Sequence, residues 1–131
     1  FLYFSIVSFI TLLSVNLIKA HASIRPIEQV YIWGRNFDKA LAICKKFSET
    51  TQFSIEAINH IKEKISEVDI ISCATLSKTP LIFGKFLKKG QHIDLVGAYK
   101  KDMREADDMT ITKDWQEDEP IFEKYLTEFM K

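Results

Sequence analysis

The residues best suited to hold a charged ligand follow a short apolar run early in the sequence. Residues 29–33 are mostly β-branched or aromatic, and Gly34, Arg35 and Asn36 come directly after them. In dinucleotide-binding domains the position after such a strand meets the adenosine ribose. An acid there binds the 2′-hydroxyl of NAD, whereas an arginine pairs with the 2′-phosphate of NADP. Arg35 and Asn36 therefore favour a phosphate, and an ordinary solvated loop arginine is the alternative.

Small residues follow two later apolar runs. Ala74, Thr75 and Leu76 stand at the end of the run 70–75, and Gly97 and Ala98 follow the run 92–96. Small residues at strand ends let a flat ring lie against the backbone, and Thr75 could donate a hydrogen bond. Because small residues are common at strand ends, the pattern alone does not separate a ligand site from an ordinary strand end.

Four charged residues cluster near the end of the sequence: Arg104, Glu105, Asp107 and Asp108. Carboxylates can do acid–base chemistry, but no histidine lies nearby in sequence, so a capped, solvated helix start is favoured. His21, His60 and His92 lack metal-ligand spacing, so no metal site is expected. A Walker-type phosphate loop is also absent from the sequence.

The composition is that of one globular domain. The chain has 131 residues, with Lys+Arg and Asp+Glu equal at 18 each. This balance gives no net attraction to nucleic acid or to an anionic membrane. The lysines at 85–89 are interpreted as solvated ends of turns. Cys44 and Cys73 lack CxxC spacing, so free buried thiols of a cytoplasmic protein are expected.

Residues 1–22 have three interpretations: a secretory signal, a membrane anchor, or the start of the fold. Ala20-His21-Ala22 imitates a signal cleavage site, but no basic residue precedes Lys19. The apolar run 1–15 falls short of the about 20 residues that span a membrane. The start of the fold is therefore favoured, either as a strand and a helix or as one long helix.

The rest of the chain alternates between strand-like and helix-like runs. Asn36 is the expected N-cap of a helix that ends at Ser48. A further helix is expected along the stripe that begins at Ile58 and ends at Val68, and a turn is expected at 86–90. The strands expected are 29–33, 53–55, 70–75 and 92–96. This order predicts the α/β class with a doubly wound parallel sheet.

The stretch 113–131 is rich in charge and differs from what precedes it. Pro120 can open a helix at Ile121, because proline is tolerated at a helix start. The residues at helical spacing beyond it are Phe122, Tyr125, Leu126 and Phe129. We therefore predict an amphipathic helical tail.

Three segments resemble the ornithine cyclodeaminase/mu-crystallin family: VYIWGRN, EVDIISCATLSKTPLI and LKKGQHIDLVGAYKKDMREADD. The resemblance covers roughly residues 14–112. Its last block is specific, with a strand ended by glycine and then Gly-Ala-x-x-x-Asp-x-Arg-Glu-x-Asp-Asp. Within the family the chain is most similar to reductases of cyclic imino acids, such as pyrroline- or piperideine-2-carboxylate, and to ketimine reductases.

The resemblance implies an NAD(P)-binding Rossmann domain set between the two halves of a substrate-binding and dimerising domain. It places Gly34, Arg35 and Asn36 at the 2′-phosphate of NADP(H), which it favours over NAD(H). It places Ala74, Thr75 and Leu76 along the cofactor and Gly97 and Ala98 near the nicotinamide. True ornithine cyclodeaminases are expected to carry an Asp where this sequence has Tyr99, which favours imine reduction over deamination.

The sequence also departs from the family pattern. Phe9 and Thr11 stand where the first two glycines of the dinucleotide fingerprint belong, and Ser14 occupies the third, small position. Those glycines allow the tight turn and the approach of the pyrophosphate. The tail after Lys113 leaves the family as well. A truncated or frame-disrupted copy that does not turn over alone is therefore expected.

The sequence thus predicts a hydrophobic segment (1–22), a Rossmann-like domain (23–112) and a divergent tail (113–131). The favoured function is cofactor binding in a cytoplasmic relative of cyclic-imine reductases, homodimeric when intact. Three alternatives remain open: a non-catalytic degenerate remnant or weak nucleotide binder, an ornithine cyclodeaminase, and a small membrane-anchored or secreted protein.

Overall fold

The computed structural model describes residues 2–8, 12–97 and 100–110, with side chains from residue 15 onward. Five strands are present in these ranges: β1 (Leu2–Ser8), β2 (Ile27–Trp33), β3 (Ser54–Ala57), β4 (Ile70–Ala74) and β5 (His92–Leu95). The α-helices are α1 (Leu12–Ile24) and α2 (Phe37–Ser48), and single 3₁₀ turns cover Ile61–Glu63 and Gly84–Phe86. The predicted tail, 113–131, lies outside the described residues.

The five strands form one parallel sheet in the order β3-β2-β1-β4-β5. The chain moves outward from β1 to β2 and β3, then crosses back to place β4 on the other side of β1. This order confirms the predicted doubly wound α/β class with a Rossmann-like sheet.

The opening hydrophobic run forms a strand and then a helix, so the single long helix is wrong. β1 lies in the middle of the sheet, between β2 and β4. A central parallel strand is covered on both faces, and this accounts for the nearly continuous apolar sequence of residues 2–8. No helix in the described ranges is both long enough and apolar enough to span a membrane.

Each face of the sheet carries its own apolar cluster. On the face of α1 and α2, Val30 and Ile32 of β2 pack with Ile18 and Phe47. On the other face, Ile71 packs with residues of the connecting loops. All five residues of β4 are buried, as predicted for a strand covered on both sides.

The helix predicted along 58–68 is wrong. Only Ile61–Glu63 is helical, as a 3₁₀ turn, although Ile58, Ile65 and Val68 are buried as the stripe requires. The connection must cross three strand spacings, about 14 Å, and also return along the strands. An α-helix advances only about 1.5 Å per residue, so twelve residues cannot form one and also make the crossing. Ile58, Ile65 and Val68 are therefore buried from a connection made of one 3₁₀ turn and the hydrogen-bonded turns that follow it at 64–67.

The turn expected at 86–90 lies slightly earlier, at Gly84–Phe86. Gly90 does not end this turn, as was predicted, but lies in a later turn before β5, with a positive φ of 89°. That conformation is costly for residues with a side chain, so glycine suits the turn into β5.

Candidate functional site

The carboxyl ends of β2 and β4 flank the carboxyl end of β1. Val7 of β1 lies level with Trp33 of β2 and with Cys73 of β4, and Cys73 lies level with Leu95 of β5. The segments after these strands therefore meet at one edge of the sheet. The strand order reverses between β1 and β4, and ligands of open α/β sheets bind at such a reversal.

The segment after β2 carries the predicted phosphate-binding residues. Gly34 is buried and Arg35 is exposed at the sheet edge. Asn36 is the N-cap of α2, and its side-chain oxygen accepts a hydrogen bond of 3.1 Å from the Lys39 backbone N–H. The cap uses the amide oxygen, which leaves the amide NH₂ as the group that could donate to a phosphate.

The segment after β4 contains both buried and exposed residues. Ala74 and Thr75 are buried, whereas the Leu76 side chain is 52% exposed. The Thr75 hydroxyl accepts a hydrogen bond of 3.3 Å from the Ser77 backbone N–H. Leu76 therefore offers an apolar surface at the site edge, while Thr75 shapes the turn beneath it.

Glu105 joins the ends of β4 and β5. The sequence pattern did not indicate that this residue is buried. It is 1% exposed, and its carboxylate accepts backbone N–H bonds from Thr75 (2.5 Å) and Gly97 (3.0 Å). A side chain at Gly97 would collide with the Thr75 backbone and with the Glu105 carboxylate. The predicted solvated character of the charged cluster is therefore wrong for Glu105, because two buried N–H groups require an acceptor.

Asp107, in contrast, has the capping role predicted for the cluster. Its carboxylate accepts hydrogen bonds of 2.9 Å from the backbone N–H groups of Thr110 and Gly84. Burial alone raises the pKa of Asp107, but bonds from the Thr110 hydroxyl and from both backbone groups outweigh it and lower the pKa. The cluster of residues 104–108 thus serves mainly to fix the turns beside the site.

Two parts of the predicted site lie outside the described residues. One is the turn 9–11, where the fingerprint glycines are replaced. The other is 98–99, which contains Ala98 and Tyr99. The described part of the site therefore consists of Gly34, Arg35 and Asn36, of Ala74, Thr75 and Leu76, and of Gly97.

A second polar cluster lies at the other end of β5. Asp94 accepts hydrogen bonds from His92 (2.8 Å) and from His21 (3.1 Å). The bond from His21 connects β5 with α1. The His92 hydrogen bond lowers the pKa of Asp94 and raises the pKa of His92. Arg25 donates to the other ring nitrogen of His21, at 3.2 Å, so the His21 N–H faces Asp94.

The described residues contain no group of three or more ligating side chains placed to hold a metal ion. Cys44 and Cys73 are free and buried, as expected. Burial, followed by the nearby Glu56, raises the pKa of the Cys44 thiol to about 11. Burial likewise raises the pKa of Cys73. Both thiols are protonated near neutral pH and are poor nucleophiles.

The model of the ornithine cyclodeaminase/mu-crystallin family matches residues 13–117. The chain belongs to this family. The match contains every described residue of the site, from Gly34 to Gly97. It confirms the family resemblance read from the segments around Arg35, Thr75 and Gly97.

Two curated relatives match over much of the chain. The delta(1)-pyrroline-2-carboxylate reductase of Colwellia psychrerythraea is 38% identical over 106 residues, which cover 77% of this chain and 32% of that protein. The ketimine reductase mu-crystallin of Mus musculus is 33% identical over 81 residues, 62% of this chain and 25% of that protein. The chain thus spans about a third of the length of the curated relatives it matches or less.

A solved relative has the same fold. The structure of the Thermococcus litoralis delta(1)-pyrroline-2-carboxylate reductase, in complex with NADH and L-proline, matches with a TM-score of 0.78 at 23% identity. The match covers 86% of this chain and 35% of that one. The fold described above is therefore that of one part of the larger reductase.

Proposed function

We propose that this chain is the nicotinamide-cofactor-binding part of a reductase that acts on cyclic imino acids. The observation that carries the proposal is the meeting of the segments after β2, β4 and β5 at the reversal of strand order. The proposal is also supported by the chain's membership in the family and by two curated reductases that match it at 33–38% identity.

The described residues fit such a cofactor. Arg35 supplies an exposed cation where the adenosine ribose lies in this fold, and Gly34 before it adds no side chain that would block the approach of the backbone. Leu76 supplies an apolar surface beside it. Glu105 holds the ends of β4 and β5 at a fixed spacing. A bound NAD(P)H would supply the hydride that reduces a C=N bond, and the chain's own residues would bind and orient it.

The proposed cofactor preference is NADPH over NADH. A 2′-phosphate needs a cation and further donors, and Arg35 with the Asn36 amide NH₂ offers both. The segment 34–36 contains no acid that would accept a hydrogen bond from a ribose 2′-hydroxyl.

The proposed substrate and assembly belong to the intact reductase. A cyclic imino acid is the proposed substrate, as in the pyrroline-2-carboxylate reductases, and a homodimer is the proposed assembly. Tyr99 at the position expected for an Asp in ornithine cyclodeaminases disfavours deamination. Two buried thiols without a disulfide support a reducing compartment, and we propose the cytoplasm.

Titration of the purified chain with NADPH and NADH tests the proposal. We expect NADPH to bind about tenfold more tightly than NADH, and Arg35→Ala to remove that difference. Lys46→Ala is the matched control, because Lys46 is an exposed cation in the last turn of α2. It should leave the preference unchanged.

The same titration separates the proposal from the alternative of a non-catalytic remnant. The replaced fingerprint glycines at 9 and 11 are the reason to expect weakened binding. Absence of binding at millimolar NADPH and NADH would overturn cofactor binding by this chain and leave the remnant. Equal affinity for NADPH and NADH would overturn only the proposed role of Arg35 in cofactor preference, and cofactor binding itself would stand.

A further inference from the structure

Glu105 is anchored to the fold by its backbone as well as by its carboxylate. Its backbone carbonyl oxygen accepts hydrogen bonds from the N–H groups of Leu81 (2.8 Å) and Ile82 (2.9 Å). The N–H of the preceding residue, Arg104, donates to the Ser77 carbonyl oxygen at 2.7 Å. This short segment is therefore tied to the loop that follows β4, and the Glu105 side chain extends from a fixed point.

The Glu105 side chain reaches from this anchor to the ends of two neighbouring strands. Its atoms Oε1 and Oε2 accept the N–H groups of Thr75, after β4, and Gly97, after β5. A side chain at Gly97 would collide with the Thr75 backbone, so the two strand ends lie in close contact. At 1% exposure Glu105 has almost no surface that a ligand could touch. Any effect of Glu105 on a bound molecule therefore passes through Thr75 and Gly97.

The segments that Glu105 holds lie on one side of β1, and Arg35 lies on the other. The strand order β3-β2-β1-β4-β5 places the segment after β2 on the first side and the segments after β4 and β5 on the second. In this fold a dinucleotide binds across the reversal of strand order, with one mononucleotide over each half of the sheet. With the adenosine half at Arg35, the nicotinamide half lies over Thr75 and Gly97.

We propose that Glu105 is a positioning residue for the nicotinamide half of the bound cofactor and acts through the backbone of Thr75 and Gly97. This inference rests on the proposed function, because it takes the ligand to be NAD(P)H. A carboxylate suits the role because it accepts two hydrogen bonds and donates none. A glutamine has one oxygen, and its NH₂ group would face one of the two N–H donors and displace that strand end. The adenosine half, on the other side of β1, keeps its contacts.

Binding of two ligands to the full chain tests this role in Glu105→Gln. One ligand is NADPH, and the other is adenosine 2′,5′-bisphosphate, which is the adenosine half without the nicotinamide. We expect Glu105→Gln to weaken NADPH binding about tenfold, because the nicotinamide half loses a preformed site. The affinity for the bisphosphate should stay within about twofold, which also shows that the variant is folded. Arg35→Ala should weaken the binding of both ligands.

Asp107→Ala is the matched control for a loss of stability. The Asp107 carboxylate also accepts two backbone N–H groups, those of Gly84 and Thr110, but neither belongs to the described site. Asp107→Ala and Glu105→Gln should both lower the midpoint of urea denaturation. Only Glu105→Gln should weaken NADPH binding.

The fluorescence of bound NADPH reports on the nicotinamide ring itself. The emission of the reduced ring rises when the ring leaves water and is held in a fixed position. At saturating NADPH we expect a smaller rise for Glu105→Gln than for the unmodified chain, and an unchanged rise for Asp107→Ala. A merely structural role of Glu105 would leave this signal of the saturated complex unchanged.

The outcomes separate this inference from the proposed function. Absence of NADPH binding by the unmodified chain would overturn both. Binding of NADPH that Glu105→Gln leaves unchanged, or weakens to the same extent as binding of the bisphosphate, would overturn the role of Glu105 and leave the proposed function standing. An equal loss of NADPH affinity in Asp107→Ala would do the same.

Discussion

At the scale of single residues, Glu105 shows how a charged side chain can be structural. Its two oxygens accept one backbone N–H each from the segments after β4 and β5, and the side chain is almost fully buried. The bonds hold together two segments that we propose to line the cofactor. A glutamate in a run of charges gave no sign of this, because the partners are backbone groups about 8 and 30 residues away.

Glu105→Gln should destabilise the chain although it preserves the shape of the side chain. The amide has one oxygen, so its NH₂ faces one of the two backbone donors. We expect a loss of about 2 kcal/mol in the free energy of unfolding, measured by urea denaturation. Asp108→Asn is the control, since Asp108 is mostly exposed, and it should change stability by less than about 0.5 kcal/mol. Equal effects would contradict the role of Glu105.

The pair of His92 and Asp94 should make stability depend on pH. The pKa of His92 is raised, chiefly by its hydrogen bond to Asp94, so protonated His92 stabilises the fold at low pH and loses this effect as pH rises through that pKa. The pKa of Asp94 is lowered, so its contribution is lost as pH falls through that lower pKa. Both contributions are present near about pH 5.

His92→Asn should therefore lower the free energy of unfolding most near about pH 5 and little at about pH 8. The His92 side chain is more than half exposed, so we expect only about 0.5 kcal/mol at the maximum. Thermal unfolding across this pH range measures it. In an Asp94→Asn background the same change should have no pH-dependent effect, and a cost that rises with pH would contradict the pairing.

At the scale of elements, α2 joins the site to the fold. The predicted cap at Asn36 and end at Ser48 are confirmed residue by residue, because a polar cap and a regular apolar stripe are local signals. The cap uses the amide oxygen of Asn36, whereas the proposed contact with the cofactor uses its amide NH₂. Because the two roles use different atoms, stability and cofactor preference should be separable at this position.

Asn36→Asp separates the two roles. Aspartate caps helices as well as asparagine, so stability should stay within about 0.5 kcal/mol. The added charge opposes a 2′-phosphate and can accept from a ribose hydroxyl, so affinity should fall about tenfold for NADPH and hold for NADH. Calorimetric titration and thermal unfolding measure the two effects. A parallel loss for both cofactors would contradict the assignment.

Asn36→Ala is the comparison for the cap. It removes the acceptor for the Lys39 N–H and should cost about 1 kcal/mol. If Asn36→Ala lowers the free energy of unfolding no more than Asn36→Asp does, the cap makes no measurable contribution to the stability of α2.

The connection from β3 to β4 shows where prediction from sequence fails. The stripe from Ile58 to Val68 indicates which side chains are buried, and three of its four residues are. It cannot indicate how far the chain must travel, since that depends on β4 lying beyond β1. Strands were predicted within a few residues because they are β-branched, whereas the crossing distance is a property of the whole sheet.

At the scale of the whole molecule, one sheet separates two apolar clusters. Ile32 of β2 belongs to the cluster under α1 and α2, and Ile71 of β4 belongs to the cluster on the opposite face. The two strands are separated by β1, so these side chains do not share neighbours. Both clusters nevertheless depend on the same five strands.

Ile32→Val and Ile71→Val should each cost about 1 kcal/mol and should add in the double variant within about 0.5 kcal/mol. Unfolding followed by tryptophan fluorescence and by circular dichroism should give a single coincident transition for all three variants. Separate transitions would show that the two faces unfold independently.

The central position of β1 has a consequence during synthesis. Residues 2–8 leave the ribosome before one of their two partner strands, 70–74, which is made more than sixty residues later. Until then one edge of an apolar strand stays unpaired, which invites association with other chains. A nascent chain that stalls between β3 and β4 should therefore depend on chaperones more than the finished one.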